Sequence, residues 1–269
     1  MHTLREKKVL ITGGASGIGK IMGRLVLEKG AELVIWDINS TGIEETKKEF
    51  SSLGKVYGYT VDVSLPEQIK SAADSAKKDV GNIDVLINNA GIVVGKYFQE
   101  HTSQEILNTM NINANAPMLI TAEFLPAMIQ QNSGHICNIA SSAGLISNPK
   151  MSVYVGSKWA VTGWSDSLRI EMKKSGKNIG VTTVTPYYIN TGMFDGVKSL
   201  IPLLKPEKVA RKIICGIERN HIYVSMPWNV NFVRFFQAIF PVRFFDWFVG
   251  GVLGVYKGMD QFKGHKKEK

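Results

Sequence analysis

The chain has 269 residues, 44% hydrophobic and 20% charged, which excludes a disordered or fibrous molecule and suits one large α/β domain. Its 32 Lys+Arg against 23 Asp+Glu give a net charge of +9, a surplus suited to a polyanion, an anionic membrane surface or an anionic ligand. That surplus gathers at the ends, +2 over residues 1–8 and +3 over 257–269, leaving a near-neutral body, so no nucleic-acid partner is expected. No signal peptide fits an N-terminus that reaches a strand within ten residues, and no run of about 18 apolar residues offers a transmembrane helix. A cytoplasmic protein is therefore expected. Neither Cys nor His shows metal-ligand spacing, so no metal is expected, and Cys137 and Cys215 read as buried free thiols in apolar runs.

Short apolar runs alternate with longer amphipathic ones. Strands are predicted at 9–12, 32–37, 56–61, 85–88, 135–140, 181–185 and 221–225, with helices between them such as 17–29 and 41–51. Near-continuous apolar strands separated by helices specify a parallel sheet covered on both faces. The first strand leads into Gly13-Gly14-Ala15-Ser16-Gly17-Ile18-Gly19. Glycines there allow a tight turn and a close backbone approach, and the following helix presents free N–H groups to a pyrophosphate. Taken alone, the same glycines also suit a plain structural turn.

Asp37 ends the second strand, where a carboxylate accepts from the adenosine ribose hydroxyls and repels a 2′-phosphate. With no Arg or Lys at position 16 or just after Asp37, NAD is favoured over NADP; a strand-end Asp capping a turn is the plainer alternative. Asp62-Val63 follows the third strand, where the Asp side chain can hold an adenine amino group. Asn88-Asn89-Ala90-Gly91 ends the fourth, with small residues that let a cofactor pass close to the backbone. Ser141 closes the fifth strand, and its hydroxyl can bind a substrate oxygen, with Ser142 an adjacent rival. Tyr154 and Lys158 are four apart and share one face of a helix. A free phenol has a pKa of about 10, and a neighbouring ammonium together with a cationic nicotinamide ring favours the phenolate, which can exchange a proton with an alcohol as hydride moves.

TGGASGIG at 12–19, Asp62, NNAG at 88–91, Ser141 and YVGSK at 154–158 occur in the order found in the short-chain dehydrogenase/reductase family, which residues 8–225 resemble. The resemblance implies a Rossmann-like, doubly wound, seven-stranded parallel sheet in a three-layer α/β/α arrangement. It also implies a Ser141-Tyr154-Lys158 site completed by an Asn thirteen residues before the Pro of an L-P-x-M segment. Leu125-Pro126-Ala127-Met128 puts that residue at Asn113, whose implied role is to hold a water linking Lys158 to solvent. Lys158 is further implied to bind the nicotinamide ribose. The segment 186–192 is similar to the family's P-G-x-x-x-T, with Tyr187 in place of the Gly. Pro186, the Ile189 backbone and the Thr191 hydroxyl are thereby implied at the nicotinamide carboxamide. The resemblance also implies homodimers or homotetramers through two long helices, one carrying Tyr154 and Lys158.

PYYINTGMF, LLKPEKVA and MDQF resemble the retinol and 17β-hydroxysteroid dehydrogenase branch, whose members oxidise hydrophobic alcohols and attach to membranes. Met193, Phe194 and Leu200–Leu204 fall in the implied substrate loop, about 190–207, and are apolar. The dehydrogenase domain is expected over 1–225 and an aromatic-rich helical extension with a basic tail over 226–269. Ten of the chain's 25 aromatics lie in 228–256; Phe232, Phe236 and Phe240 repeat at helical spacing, and Pro241 is expected to start a second helix. This extension reads either as core and subunit-interface packing or as an amphipathic lid at a membrane surface, giving peripheral membrane contact through 228–269. The sequence thus predicts an NAD(H)-dependent oxidoreductase for a hydrophobic alcohol and its ketone or aldehyde, with Tyr154 as acid/base. A non-catalytic nicotinamide-binding or membrane-associated regulatory protein is the alternative.

Overall fold

The computed structural model describes residues 3–199 and 201–264. Strands β1 (Lys8–Thr12), β2 (Glu32–Asp37), β3 (Val56–Thr60), β4 (Val85–Asn88), β5 (Gly134–Ile139), β6 (Ile179–Pro186) and β7 (Tyr223–Met226) form one sheet. Its order is β3-β2-β1-β4-β5-β6-β7, and every neighbouring pair is parallel. The order reverses between β1 and β4, so the loops leaving those strands part and open a crevice at their C-terminal ends. Helices α1 (Gly17–Glu28), α2 (Ser40–Phe50), α3 (Pro66–Asp79), α4 (Ser103–Met110), α5 (Ala116–Gln130), α6 (Ser152–Lys174) and α7 (Pro206–Glu218) make the crossovers.

Strand alternation assigns each side chain to a layer. Val9, Ile11, Leu33 and Ile35 pack with Met22 and Val26 of α1, Phe50 of α2 and Ile213 of α7. Leu10, Val34 and Trp36 point the other way, to Ile69 of α3, Phe124 of α5 and Leu168 of α6. Three layers result, as the alternation of apolar runs and amphipathic helices implied. A buried polar relay crosses the second interface: Asn88 Nδ2 donates to Asn138 Oδ1 at 2.8 Å, Asn138 Nδ2 donates to Ser165 Oγ at 3.0 Å, and Ser165 shares a hydrogen bond of 2.7 Å with Thr183. These pairs join β4, β5, α6 and β6, and satisfy polar groups that would otherwise be costly to bury.

Boundaries differ from expectation where a local hydrogen bond competes. α2 starts one residue early because Asn39 caps it, accepting from Gly42 N at 3.0 Å. β7 starts two residues late because His221 N closes the end of α7 on Gly216 O at 2.9 Å. Cys137 is buried in β5, but Cys215 on α7 is only half-buried; both are free thiols.

After β7 come a 3₁₀ turn (Trp228–Phe232), α8 (Val233–Ile239), α9 (Val242–Asp246), a π turn (Trp247–Val252) and a 3₁₀ turn (Val255–Lys257). The predicted single helical face is divided, since Phe232 ends the first turn and Phe240 lies beyond α8. The rings of Phe236 and Phe240 nevertheless stack, 6.0 Å apart and 11° from parallel. Pro241 stands just before α9 rather than inside it, with extended ψ of 141°. Among the described residues, no helix is long and apolar enough to cross a membrane. Leu200 of the predicted substrate loop and Lys266, Lys267 and Lys269 of the basic tail lie outside the described residues.

Candidate active site

Two loops meet at the crevice. Gly13 has φ +65° and Gly17 φ +51°, the left-handed region that favours glycine. A Cβ on Gly19 would overlap the carbonyl oxygen of Gly13, so α1 can begin against the loop only at glycine. Ser16, exposed and extended, precedes α1 without a side-chain cap, and the first turn carries no acidic residue. The N–H groups at Ile18 and Gly19 therefore head a helix whose dipole is uncompensated, worth roughly half a positive charge. Such a donor set suits a pyrophosphate.

Asp37 fixes the neighbouring edge. Its Oδ2 accepts from Ala15 N at 3.0 Å and its Oδ1 from Asn39 N at 3.0 Å, so the carboxylate is both turn cap and loop anchor. The two sequence readings of Asp37 are not exclusive, because a carboxylate oxygen accepts more than one donor. Asp62 Oδ1 accepts from Ser64 N at 2.9 Å and Ser64 Oγ at 2.7 Å, which turns that oxygen into its own loop, beside buried Val63. Across the crevice, Asn89 Nδ2 donates to Thr12 O at 2.9 Å and Gly13 O at 3.2 Å, while Asn89 N and Ala90 N both donate to Thr12 Oγ1 at 2.9 Å. Thr12 thus ties the end of β4 to the glycine loop. It stood within the 12–19 motif, but spacing alone could not assign it partners 77 and 78 residues away.

Gly91 lies where a Cβ would come 3.2 Å from Asn113 Oδ1 and 3.7 Å from Lys158 Nζ. Asn113 sits in a π turn (Asn111–Asn115) that joins α4 to α5, a local rewinding that turns its side chain inward. Its Oδ1 accepts from Ile92 N at 2.8 Å, and its Nδ2 donates to Ile92 O at 2.9 Å and Ser157 Oγ at 3.2 Å. The Asn113 side chain thereby pins the loop after β4 to α6.

Tyr154 and Lys158 share the buried face of α6, and Lys158 Nζ donates to Ile139 O at 2.9 Å, 5.7 Å from the centre of the Tyr154 ring. Burial pushes the Tyr154 phenol up to about 12, opposed by its hydrogen bond with Ser141. Burial also lowers Lys158 to about 8. In the protein alone, desolvation therefore outweighs the expected pull toward phenolate. Ser141, rather than Ser142, makes the bond with Tyr154. Its Oγ also accepts from Ala143 N at 3.1 Å and donates to Pro186 O at 3.4 Å.

The loop after β6 completes the crevice. Thr191 lies against the glycine loop, where a Cβ on Gly17 would be 4.0 Å from its side chain, and Ile189 bridges to Leu204. Tyr187, at the family's glycine position, keeps ordinary backbone geometry; its N–H donates to Met226 O at 2.7 Å and its hydroxyl bonds Ser199 at 2.8 Å. The departure from glycine is absorbed without strain.

A cavity of about 770 Å³ opens from Ser141. Its near wall includes Tyr187, Tyr188 and Phe194; its far wall is the extension, with Phe232, Phe236, Phe240, Phe244 and Phe248. Phe194 also meets the Tyr154 ring edge-on at 6.2 Å. The other side of the same segment is solvent-facing: Phe235 is 58% exposed, Ile239 57%, Val242 73% and Trp247 61%, and none of these lines the cavity.

Residues 7–200 match the family described as short chain dehydrogenase. Epidermal retinol dehydrogenase 2 of Mus musculus is 38% identical over 267 residues, covering 97% of this chain and 86% of its own length. Estradiol 17-beta-dehydrogenase 11 of Rattus norvegicus is 35% identical over 241 residues, covering 88% and 81%. Among solved structures, a short chain dehydrogenase/reductase from Burkholderia phymatum in complex with NAD aligns with a TM-score of 0.81 at 25% identity, over 88% of this chain and 95% of that one.

Proposed function

Since the chain belongs to the short chain dehydrogenase family and is a nicotinamide-dependent alcohol dehydrogenase/carbonyl reductase, we propose that it interconverts a large apolar alcohol, of retinoid, steroid or other lipid-like shape, with its carbonyl, using NAD(H). The observation that carries the substrate class is the cavity: about 770 Å³ opening from Ser141, walled by phenyl rings. A sugar would leave its hydroxyls unpaired against such walls, whereas an apolar body fills them favourably. The relatives' names, retinol and estradiol dehydrogenase, point the same way.

Ser141 holds the substrate oxygen, and Tyr154 exchanges the proton with it. The nicotinamide ring, when bound, supplies the hydride acceptor or donor, and its positive charge in the oxidised form favours the phenolate that burial alone opposes. In oxidation Tyr154 takes the hydroxyl proton; in reduction it returns one to the nascent alkoxide. Lys158, brought near pH 8 by burial, can pass that proton on at neutral pH, and its ammonium suits a ribose hydroxyl. Gly91, lacking a Cβ, leaves the space beside Lys158 Nζ open, and Asn113 would hold there a water that links Lys158 to solvent. Gly13, Ser16, Gly17, Ile18 and Gly19 would hold the pyrophosphate. Asp62, Val63, Asn89 and Ala90 would line the adenosine and ribose path; Pro186, Ile189 and Thr191 would meet the carboxamide. NAD is preferred because Asp37, anchored by two backbone donors, keeps a negative charge where a 2′-phosphate would sit.

A panel of retinoids, steroids and medium-chain alcohols, assayed by NADH absorbance with NAD⁺ and NADP⁺, tests the whole reading. Turnover of apolar members with NAD⁺ is expected. Tyr154→Phe should reduce it by at least about 1000-fold while NADH still binds. Retained turnover in that variant removes Tyr154 from the reaction, and equal kinetics with NADP⁺ refutes the role given to Asp37.

The exposed outer side of the extension supports a second element of the proposal, that it rests on a lipid surface. Aromatics with nearby Arg234, Arg243, Lys257 and Lys263 are the composition that partitions to a membrane interface.

A further inference from the structure

Residues 258–264 return to the active site instead of leaving the body. Lys198 N donates to Gly258 O at 3.1 Å, Lys263 N donates to Asp195 O at 3.0 Å, and Asp195 pairs antiparallel with Gly264. The chain end thus grips residues 195–198 of the substrate loop through backbone bonds. Gly196 has φ +81°, and a Cβ there would overlap the Gln261 carbonyl, so the two segments approach as closely as backbone allows. A second hold lies on the loop after β4: the Phe262 ring occupies the space above Gly95, where a Cβ would overlap it. A third is Lys150 Nζ, which donates to Asp260 O at 3.4 Å.

Met259, 1% exposed, and Phe262 belong to the apolar cluster that contains Tyr154, Tyr188 and Phe194. We propose that residues 258–264 are a latch that holds the substrate loop closed over Tyr154, with Phe262, seated at Gly95, as its positioning residue. Phe262 acts through the apolar cluster that it packs against, which holds Met259, Tyr188 and Tyr154, and touches no reacting atom itself. A few backbone bonds, one buried Met side chain and one half-buried ring give the latch little local stability compared with the sheet. It can therefore release without unfolding the sheet, as an element that admits substrate and then excludes water must.

The latch rests on the reading of Tyr154 given above, so its test has an arm that needs no turnover. In Phe262→Ala, amide hydrogen exchange across 190–199 and 201–204 should quicken about tenfold while β1 and α1 are unchanged. With the best substrate of the panel, kcat/KM should fall about 10- to 100-fold with both kcat and KM affected, and Phe262→Leu should recover most of it. Gly95→Ala should mimic Phe262→Ala by unseating the ring, and the double variant should be no worse than Phe262→Ala alone. Unchanged exchange in the loop, or additive effects of Gly95→Ala and Phe262→Ala, overturns the latch. A silent panel with quickened exchange rejects the proposed reaction and leaves the latch standing.

Discussion

Lys158 is a cation only 4% exposed, hydrogen-bonded to one carbonyl, and its pKa of about 8 records the cost of keeping it charged there. From about pH 8 to 10.5 the unfolded chain binds the proton that the folded one has lost, so stability rises with pH across that window. Below it the whole penalty is present. Lys158→Met should therefore abolish turnover yet stabilise the fold at about pH 7 by roughly 1–3 kcal/mol. The gain should shrink toward pH 10, as urea unfolding at the two pH values would measure. A variant less stable than the wild type at neutral pH would show that the bond to Ile139 outweighs desolvation. Lys158, Tyr154 and Ser141 were legible because their spacing and residue types carry chemistry. Ser157 was not, since its part is to receive Asn113 from 44 residues away. Nor could spacing reveal that the Asn113 side chain is committed to the Ile92 backbone.

At the scale of elements, the joint between β1 and α1 is the tightest constraint in the cofactor crevice. Gly19→Ala would drive a methyl into the Gly13 carbonyl and toward Asn89, and neither can retreat, because Asn89 is bonded to Thr12. The expected outcome is a loss of about 1–3 kcal/mol in urea unfolding with NADH affinity at least about tenfold weaker by fluorescence titration. Wild-type affinity would show that α1 can shift without disturbing the loop. The inner strands were readable as apolar runs, since a strand covered on both faces needs no polar alternation, while the edge strands β3 and β7 are only partly buried. Their ends moved by a residue or two wherever a cap or a helix terminus, such as Asn39 or His221, claimed the backbone first. The π turn around Asn113 left no mark in the hydrophobic pattern, because one extra residue in a turn hardly shifts a period read over many. In the extension Phe232, Phe236 and Phe240 were expected on one helical face; they line the same cavity, although the helix that was to carry them is divided.

Over the whole molecule, the largest gathering of aromatics and +3 of the +9 charge fall in the C-terminal segment that follows the sheet, apart from the reaction centre. α8 and α9 are apolar on both sides, a pattern that in water calls for a second cover. Flotation with anionic vesicles at low salt should carry the full chain, and replacing Phe235, Val242 and Trp247 together by Ser should abolish it while leaving the cavity wall intact. If that variant instead lowers the mass seen in sedimentation, with no flotation by the wild type, the cover is another subunit. That choice was undecidable from composition, because the same residues serve either surface.

The sheet is finished at Met226, and every residue placed against the dinucleotide precedes it. The far wall of the cavity and the segment that grips the substrate loop follow it. During synthesis, where earlier segments fold first, the chain acquires a cofactor crevice before it has anywhere to put an alcohol. Premature termination after β7 would leave every residue assigned to the dinucleotide in place and remove the far wall of the cavity, so such a product should show no turnover of the apolar panel.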